Sequence, residues 1–149
     1  MTVRERVERC RAGLEPLCVA RLKSGWFCLN ETQPLGRTAY GVLYHDALAR
    51  GLNALDRNGQ AQWGIDTALC GEALIAVLGA ARANYETWGN VDPSLHTHIT
   101  ARFLDEKPDL GSAPPRQAYD WTKGMSLDSN DQETGRILTA LRGYIESRC

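Results

Sequence analysis

The stretch S-L-H-T-H-I-T-A-R-F, residues 94–103, decides the fold prediction. In a β-strand, side chains alternate between the two faces. One face would then carry Ser94, His96, His98, Thr100 and Arg102. The other face would be mainly apolar and would carry Leu95, Thr97, Ile99, Ala101 and Phe103. The two histidines would lie about 7 Å apart at Cα. Since the chain has only three histidines, this face is the first candidate for a functional site.

Length and charge narrow the class of protein. A chain of 149 residues suits one domain, and we expect a single domain over residues 1–149. The formal net charge of -1 gives no electrostatic reason to expect nucleic acid or a membrane surface as a partner. The charged first residues lack an apolar signal segment, and the longest apolar stretch, around residues 73–81, is too short to span a bilayer. We therefore expect a cytoplasmic protein.

The cysteines do not form a recognisable motif. Their number is odd and no two form a C-x-x-C pair; they are Cys10, Cys18, Cys28, Cys70 and Cys149. A small secreted domain would use an even and dense set for disulfides. We interpret the five as free thiols, buried or incidental, rather than as a zinc or redox motif.

Turn signals and periodicity outline the first half of the chain. Thr2 and Glu5 predict a capping box for a short N-terminal helix. Residues 25–29 and 38–44 are short, β-prone runs separated by a loop with Pro34 and Gly36. Leucines spaced by four and three residues predict a short helix from His45 to Arg57.

The second half is predicted to hold two helices. Residues 60–83, rich in alanine and glycine, predict the longest helix, with a small-residue face that allows close approach to a sheet. Residues 104–118, with three prolines, predict an extended surface segment. Ser129 and Gln132 predict a second capping box before a C-terminal helix. Strands followed by helices and a returning strand indicate an α+β fold with an antiparallel sheet.

A longer stretch around the two histidines, N-Y-E-T-W-G-N-V-D-P-S-L-H-T-H-I-T-A-R-F (residues 84–103), resembles the histidine-triad (HIT) superfamily. That superfamily has the signature H-φ-H-φ-H-φ-φ, in which φ is apolar. The resemblance continues upstream through residues 25–36 and covers roughly residues 20–121. With D-E-K-P after the strand, the chain looks like bacterial HIT hydrolases of the diadenosine tetraphosphate type. The resemblance implies a five-stranded antiparallel sheet with two packed helices, joined here by a C-terminal helix over about 130–147.

The resemblance also implies a mechanism and a set of site residues. His96 takes the place of the middle histidine, which attacks the α-phosphorus of a nucleotide, and water then cleaves the nucleotidyl-histidine intermediate. A neutral imidazole is a competent nucleophile near pH 7. The other nitrogen of His96 would donate to a backbone carbonyl near Ser94. His98, at the third position, would donate to a phosphate oxygen or to the leaving group.

Further nucleotide contacts carry over from the same resemblance. Asn90 would contact the α-phosphate, Asn84 is a second candidate on the phosphate side, and Asn30 would bind the ribose hydroxyls. Arg102 could reach a distal phosphate, although an exposed rim arginine explains it equally well. The resemblance implies no required cofactor and leaves room for a divalent metal ion that accompanies the nucleotide. It also implies a homodimer whose only other partner is the small-molecule nucleotide.

The departure from the family pattern is Ser94, which stands where the first histidine of the triad would be. A serine can donate and accept a hydrogen bond, but it cannot titrate near neutrality. Because the nucleophile and the third histidine remain, we expect retained activity. A nucleotide-binding module without turnover is the alternative.

Other interpretations of the histidine pair remain open. Two histidines two residues apart on a strand can bind a metal, but no histidine follows His98, and the nearest carboxylates, Asp105 and Glu106, are awkwardly placed. The pair could also be surface histidines without chemistry. No P-loop or Rossmann glycine pattern is present. His45 is interpreted as a cap residue of the short helix.

Overall fold

The computed structural model describes residues 1–149 and confirms the five-stranded antiparallel sheet. Its strands are β1 (Cys18–Arg21), β2 (Gly25–Leu29), β4 (Tyr40–His45), β5 (Arg82–Glu86) and β6 (His96–Arg102). They lie in the order β1-β2-β4-β6-β5. Two further short strands, β3 (Thr32–Gln33) and β7 (Met125–Ser126), pair with each other as a separate two-stranded antiparallel sheet. The helices are α1 (Val3–Arg11), α2 (Arg57–Leu78), α3 (Pro108–Gly111), α4 (Pro115–Ala118) and α5 (Gln132–Glu146).

The two faces of the sheet carry different layers. On one face, α2 and α5 pack against the inward side chains of the strands, and Phe27, Leu43, Leu74, Ile99 and Leu141 are fully buried in this core. On the other face, α1 packs through Val3, Val7 and Cys10 against side chains of β2 and β4. Burial of these apolar groups is the main driving force for assembling the layers. The α1 face leaves room beside the helix, and the candidate site lies there.

Strand β6 alternates as the sequence predicts. Thr97, Ile99 and Ala101 are buried toward α2 and α5, while His96 and His98 are half-buried on the α1 face. The pairing of β4 with β6 sets Tyr44 opposite His96 and Val42 opposite His98. The two histidines are therefore surrounded by side chains of the neighbouring strand.

The N-terminal helix begins and ends where its sequence signals indicate. Thr2 and Glu5 form the predicted capping box, and Gly13, at φ 69°, follows the helix end at Ala12. A second tie comes from far along the chain, because the Val3 N–H donates to the Asp92 carboxylate at 2.9 Å. That contact lowers the pKa of the Asp92 carboxyl and fixes the start of α1 beside the entry to β6.

The longest helix is confirmed with a different end. Helix α2 begins after Asp56, whose carboxylate accepts the Gly59 N–H at 2.7 Å, and ends at Gly79, which has φ 70°. The prediction that the helix continues to residue 83 is wrong, because the chain turns at Gly79 and runs on as β5. A Cβ added at Gly71 would lie 2.0 Å from the Tyr85 hydroxyl, so this glycine lets β5 approach the helix.

The predicted helix from His45 to Arg57 is wrong. His45 ends β4, and the chain then turns through Leu48 (φ 56°) and Gly51 (φ 116°) before a single 3-10 turn over Leu52–Ala54. The leucine spacing does not correspond to one helix face here, because the leucines pack in two different layers of the structure. Leu48 packs against the α1 side of the sheet, and Leu55 packs against the core under α2 and α5.

Two predictions in the C-terminal third need correction. The segment over residues 104–118 is not extended throughout, since it contains α3 and α4, each with a proline at its first turn. The C-terminal helix is confirmed, but Ser129 and Gln132 do not form its capping box. The cap is Asp131, whose carboxylate accepts the Thr134 N–H at 3.0 Å.

No helix is long and apolar enough to cross a membrane. The cytoplasmic location stays a prediction.

A fully buried glutamine closes the loop between β3 and β4. The Gln33 side-chain oxygen accepts the N–H groups of Ala39 and Tyr40, both at 2.8 Å. Its amide donates to the carbonyls of Asn30 at 2.6 Å and Tyr40 at 2.9 Å. All four bonds bind backbone, so this side chain fixes the positions of Asn30 and Tyr40 at the edge of the α1 face.

Replacing Gln33 by leucine should lower the free energy of unfolding by about 2–4 kcal/mol, because the buried N–H groups of Ala39 and Tyr40 lose their acceptor. Urea denaturation measures the change. The matched control is Gln117→Leu at an exposed position, which should stay within about 0.5 kcal/mol of wild type. Equal stabilities for the two variants would contradict this role for Gln33.

Candidate active site

His96 and His98 stand side by side in a cleft of about 580 Å³. Their ring centroids lie 5.0 Å apart at an interplanar angle of 74°. The cleft is bounded by the start of α1, the loop after β2, the strand β4, the turn over residues 88–92 and the α4 segment. The residues around the histidines include Thr2, Val3, Arg6, Asn30, Tyr40, Val42, Tyr44, Trp88, Gly89, Asn90, Asp92 and Arg116. A cleft of this size lies within the range of small-molecule binding sites.

The protonation pattern of His96 follows from its backbone partner. Nδ1 of His96 lies 2.7 Å from the carbonyl oxygen of Ser94. A carbonyl oxygen only accepts, so Nδ1 carries the proton and donates. In the neutral ring, Nε2 then holds a free lone pair. The sequence-based expectation of a carbonyl near Ser94 as the partner of His96 is confirmed.

His98 has a different environment. Its Nδ1 lies 2.5 Å from the Tyr40 hydroxyl, and the two rings are stacked with centroids 5.9 Å apart. Burial, with smaller contributions from His96 and Arg116, lowers the pKa of His98 to about 4. Burial also raises the pKa of Tyr40 well above its usual value. At pH 7 this pair is uncharged and shares one short hydrogen bond.

The structure brings two of the predicted asparagines to the histidines. Asn30 lines the cleft just after β2, where its amide donates to the Thr32 carbonyl at 3.0 Å. Asn90 lines it from the turn, beside Gly89 at φ 75°. Both positions agree with the resemblance, and their contacts with a nucleotide remain predictions.

Ser94 acts through its backbone. Strand β6 begins at His96, so Ser94 precedes the strand and its side chain is not among those around the cleft. Its N–H donates to the Asp92 carboxylate at 3.0 Å, and its carbonyl accepts from His96. One Asp92 carboxylate therefore binds both α1 and the residue whose carbonyl orients His96.

Asn84 lies elsewhere than predicted. It is a residue of the edge strand β5, not the end of the long helix, and it is paired with Thr100. Its side-chain oxygen accepts from the Arg102 guanidinium at 2.9 Å. It is not among the residues that surround the histidine cleft.

Arg102 is neither an exposed rim arginine nor a residue of the cleft. It is buried, and its guanidinium binds the Glu106 carboxylate at 3.0 Å together with the Asn84 amide oxygen. The same group donates to the carbonyls of Leu110 at 2.6 Å and Ala113 at 2.7 Å. These partners hold the segment that follows β6 against the sheet, and that is the observed role of Arg102.

Tyr40 and Arg116 are among the cleft residues that were not singled out from the sequence. Tyr40 could have been found, since Tyr40, Val42 and Tyr44 alternate along a predicted strand. Arg116 carried no signal, because it lies in a proline-rich segment whose path the sequence does not define. It is exposed, pairs with no carboxylate within 4.0 Å, and places its guanidinium 4.6 Å from the Trp121 ring centroid.

The histidine pair lacks a third metal-ligating side chain. No histidine, cysteine, aspartate or glutamate joins His96 and His98 in a group of three. His45, the remaining histidine, ends β4, and its Nδ1 accepts the Ala49 N–H at 3.3 Å. The metal-binding interpretation of the histidines therefore has no support in the geometry.

The lowered pKa of His98 makes a prediction for pH dependence. Between about 6.5, the usual pKa in an unfolded chain, and about 4, the unfolded chain binds a proton that the folded chain does not. The free energy of unfolding should therefore fall as the pH falls through this window, by up to about 3 kcal/mol from this residue. In an NMR titration, the His98 ring should show a midpoint near 4. A midpoint near 6.5 would show that burial does not control this ring.

Comparisons with known proteins agree with the architecture. No protein-family profile matches the sequence, and no curated protein matches it either. Among solved structures, a histidine triad protein from Bradyrhizobium japonicum is 22% identical over 91% of this chain and 94% of its own, with a TM-score of 0.69. One from Marinobacter aquaeolei is 16% identical over 95% and 96%, with a TM-score of 0.68. A hypothetical histidine triad nucleotide-binding protein from Sulfolobus tokodaii is 16% identical over 95% and 91%, with a TM-score of 0.67. At such identities the likeness concerns the fold. The chain has the histidine-triad fold, as the strand with His96 and His98 predicted.

Proposed function

We propose that the protein hydrolyses a nucleoside phosphoanhydride of the dinucleoside polyphosphate class through a covalent nucleotidyl-His96 intermediate. One observation carries the proposal. Because His96 Nδ1 donates to the Ser94 carbonyl at 2.7 Å, the lone pair of Nε2 is free for attack on phosphorus. The fold shared with a histidine triad nucleotide-binding protein supports a nucleotide as the ligand.

The reaction proceeds in two displacements. In the first, His96 Nε2 forms a bond to the α-phosphorus, and the bond from phosphorus to the leaving group breaks. In the second, water attacks the same phosphorus, the P–N bond breaks, and its electron pair returns to Nε2. The water proton passes to solvent, and a nucleoside monophosphate is released. Splitting one displacement into two lowers each barrier.

His98 and Tyr40 serve as a neutral donor pair. When the Tyr40 hydroxyl donates to His98 Nδ1, the ring proton lies on Nε2, where it can donate to a phosphate oxygen. Such a donor stabilises charge that develops on the phosphoryl oxygens. The low pKa of His98 disfavours a full proton transfer from an imidazolium at neutral pH.

The lack of a strong general acid favours an anhydride over a phosphoramidate. A polyphosphate leaves as a stable anion near neutral pH, whereas an amine must gain a proton as it leaves. Ser94 cannot titrate in this range, and His98 is held neutral. We therefore expect diadenosine tetraphosphate to react faster than an AMP amide.

The remaining ligand contacts come from three sides of the cleft. Arg116 supplies the positive charge for the distal phosphates, a role that the sequence had offered to Arg102. Asn90 and Asn30 contact the α-phosphate and the ribose. Trp88, 60% exposed at the rim, offers its ring for stacking on a base.

The second candidate is a nucleotide-binding module without turnover. The observation in its favour is Ser94, which cannot take part in proton transfer where the family pattern has a histidine. This candidate keeps the cleft, Arg116 and the two asparagines as a binding surface. It differs from the first in predicting affinity for AMP without release of product.

The His96→Ala variant should lose at least about 10³-fold in turnover of diadenosine tetraphosphate, because the other imidazole of the cleft, His98, has its Nδ1 bound to Tyr40 and its proton on Nε2 and so lacks a free lone pair. Wild-type protein, quenched during turnover, should carry one AMP group on His96 in mass spectrometry. The matched control is His45→Ala, which removes a histidine outside the cleft and should keep the adduct.

Each alternative result has a clear meaning. AMP binding with no turnover by wild type would favour the binding module. Turnover that survives His96→Ala would overturn the covalent mechanism. Faster reaction of the AMP amide than of diadenosine tetraphosphate would overturn the preference for an anhydride.

Replacing Arg116 by methionine should raise KM for diadenosine tetraphosphate about tenfold at low salt, because one charged hydrogen-bond donor to the phosphates is lost. The difference from wild type should shrink as salt rises. The control is Arg136→Met, which removes an arginine on α5 that pairs with Glu133 at 2.6 Å. If the two replacements change KM equally, Arg116 has no specific role in binding the substrate.

A homodimer, which the family resemblance implies, is part of this proposal. The support is the free edge of the sheet at β5, where Tyr85 is 46% exposed and Trp88 follows at 60%. An unpaired edge with aromatic side chains is a surface that a second copy can cover.

A further inference from the structure

Three cysteines meet on the α1 face of the sheet, outside the cleft. Cys10 comes from α1, Cys18 from β1 and Cys28 from β2, and their three sulfur atoms all lie within 4.8 Å of one another. The Sγ atoms of Cys10 and Cys28 are 3.4 Å apart. No sequence pattern predicts this cluster, since the three thiols come from separate elements without a close-spaced pair.

A β-bulge brings Cys18 to the others. Strand β1 pairs Cys18 with Cys28 and Arg21 with Trp26, and the register shifts between Cys18 and Ala20. The extra residue turns Cys18 to the same face as Arg21, although the two lie three positions apart. Without the bulge, alternation would point one of them to the other face. The fold therefore contains a local irregularity whose effect is to complete the trio.

The spacing of the sulfurs suits a shared central ion. With a metal–sulfur distance of about 2.3 Å, three sulfurs around a planar centre lie about 4 Å from one another. The observed cluster brackets this value, from 3.4 Å to less than 4.8 Å. A disulfide would join two of the thiols and leave the third without a function. Packing alone would not require three sulfurs to converge on one point.

We propose that Cys10, Cys18 and Cys28 form a three-coordinate thiolate site for one thiophilic ion of the Cu(I) class. Thiolates are the soft ligands that select such ions. A structural zinc site needs a fourth ligand, and no histidine or carboxylate joins the group. The nearest candidate, Glu15, already binds Arg6 at 2.8 Å and Arg9 at 3.3 Å.

Binding involves loss of protons and no electron transfer. Each thiol releases its proton as its sulfur binds the ion, and the ion stays in the Cu(I) state. The positive charge of Arg142 lies close to Cys18, where it offsets part of the negative charge of the three thiolates. Arg142 also donates to the carbonyls of Val19 at 2.8 Å and Cys18 at 3.0 Å, so its charge is fixed beside the cluster.

The burial of the cluster suits a retained ion. Cys10 and Cys28 are buried, and Cys18 is half-buried, which leaves one side for entry. The ion would tie α1 to both β1 and β2. Because the ion binds only where the folded chain brings the three sulfurs together, its binding should stabilise the folded chain as a whole. The start of α1 is also a wall of the cleft, so this stabilisation includes one side of the cleft.

The test uses the full chain, reduced and kept free of oxygen. Cu(I) is supplied from a coloured chelator of known affinity, and uptake is followed by loss of that colour and by thiolate-to-copper absorption in the ultraviolet. We expect one Cu(I) per chain and a rise in Tm on the order of 5 °C. The Cys18→Ser variant should lose both effects. The matched control is Cys149→Ser, which removes an exposed cysteine outside the cluster and should keep them.

Several results would overturn the proposal. Equal uptake by wild type and Cys18→Ser would place the ion elsewhere. Binding of Zn(II) in preference to Cu(I), with the same cysteine dependence, would indicate a four-coordinate site. In a parallel sample exposed to air, a wild-type mass lower by two hydrogen atoms, with no metal uptake by the reduced sample, would indicate that the cysteines form a disulfide instead. If circular dichroism shows that Cys18→Ser is unfolded, Cys18→Ala and Cys10→Ser give the same comparison.

Discussion

The pairing of β4 with β6 is the constraint on which the site depends. It sets Tyr44 against His96, Val42 against His98 and Tyr40 against Thr100. A slip by one residue would turn both histidines into the core and bring Thr97 and Ile99 into the cleft. The register is held from behind, because Leu43 and Ile99 are fully buried under α2 and α5. The apolar side of the sheet thus determines the chemistry available on its polar side.

Backbone groups and buried polar side chains then orient the reactive residues. Gln33 fixes the loop that carries Asn30 and leads to Tyr40. Asp92 binds the N–H groups of both Val3 and Ser94. The capping box and Asp92 together occupy the N–H groups of Thr2, Val3 and Glu5 at the start of α1, so these three groups do not bind an anion. Positive charge for a phosphate must come from side chains instead.

Patterns of period two and period 3.6 predicted three central strands, the longest and terminal helices, and the nearness of His96 and His98, whereas the five strands of the sheet were implied by the resemblance to the histidine-triad superfamily. The sequence did not predict the role of Arg102. Strand alternation correctly predicted the sheet face on which Arg102 lies. Its partners lie in a segment whose path depends on tertiary contacts; they are Glu106 and the carbonyls of Leu110 and Ala113. For the same reason Arg116 was missed. The helix expected at His45 failed because Leu48 and Leu55 pack on opposite sides of the sheet.

The position of α1 has a practical consequence. Its first residues, Met1 to Val3, lie at the mouth of the cleft. A purification tag fused before Met1 would therefore lie beside His96 and could cover the entrance or compete for it. A polyhistidine tag would add further imidazoles next to His96. The end of α5 is on the other side of the sheet, so a tag after Cys149 leaves the entrance free for ligand measurements.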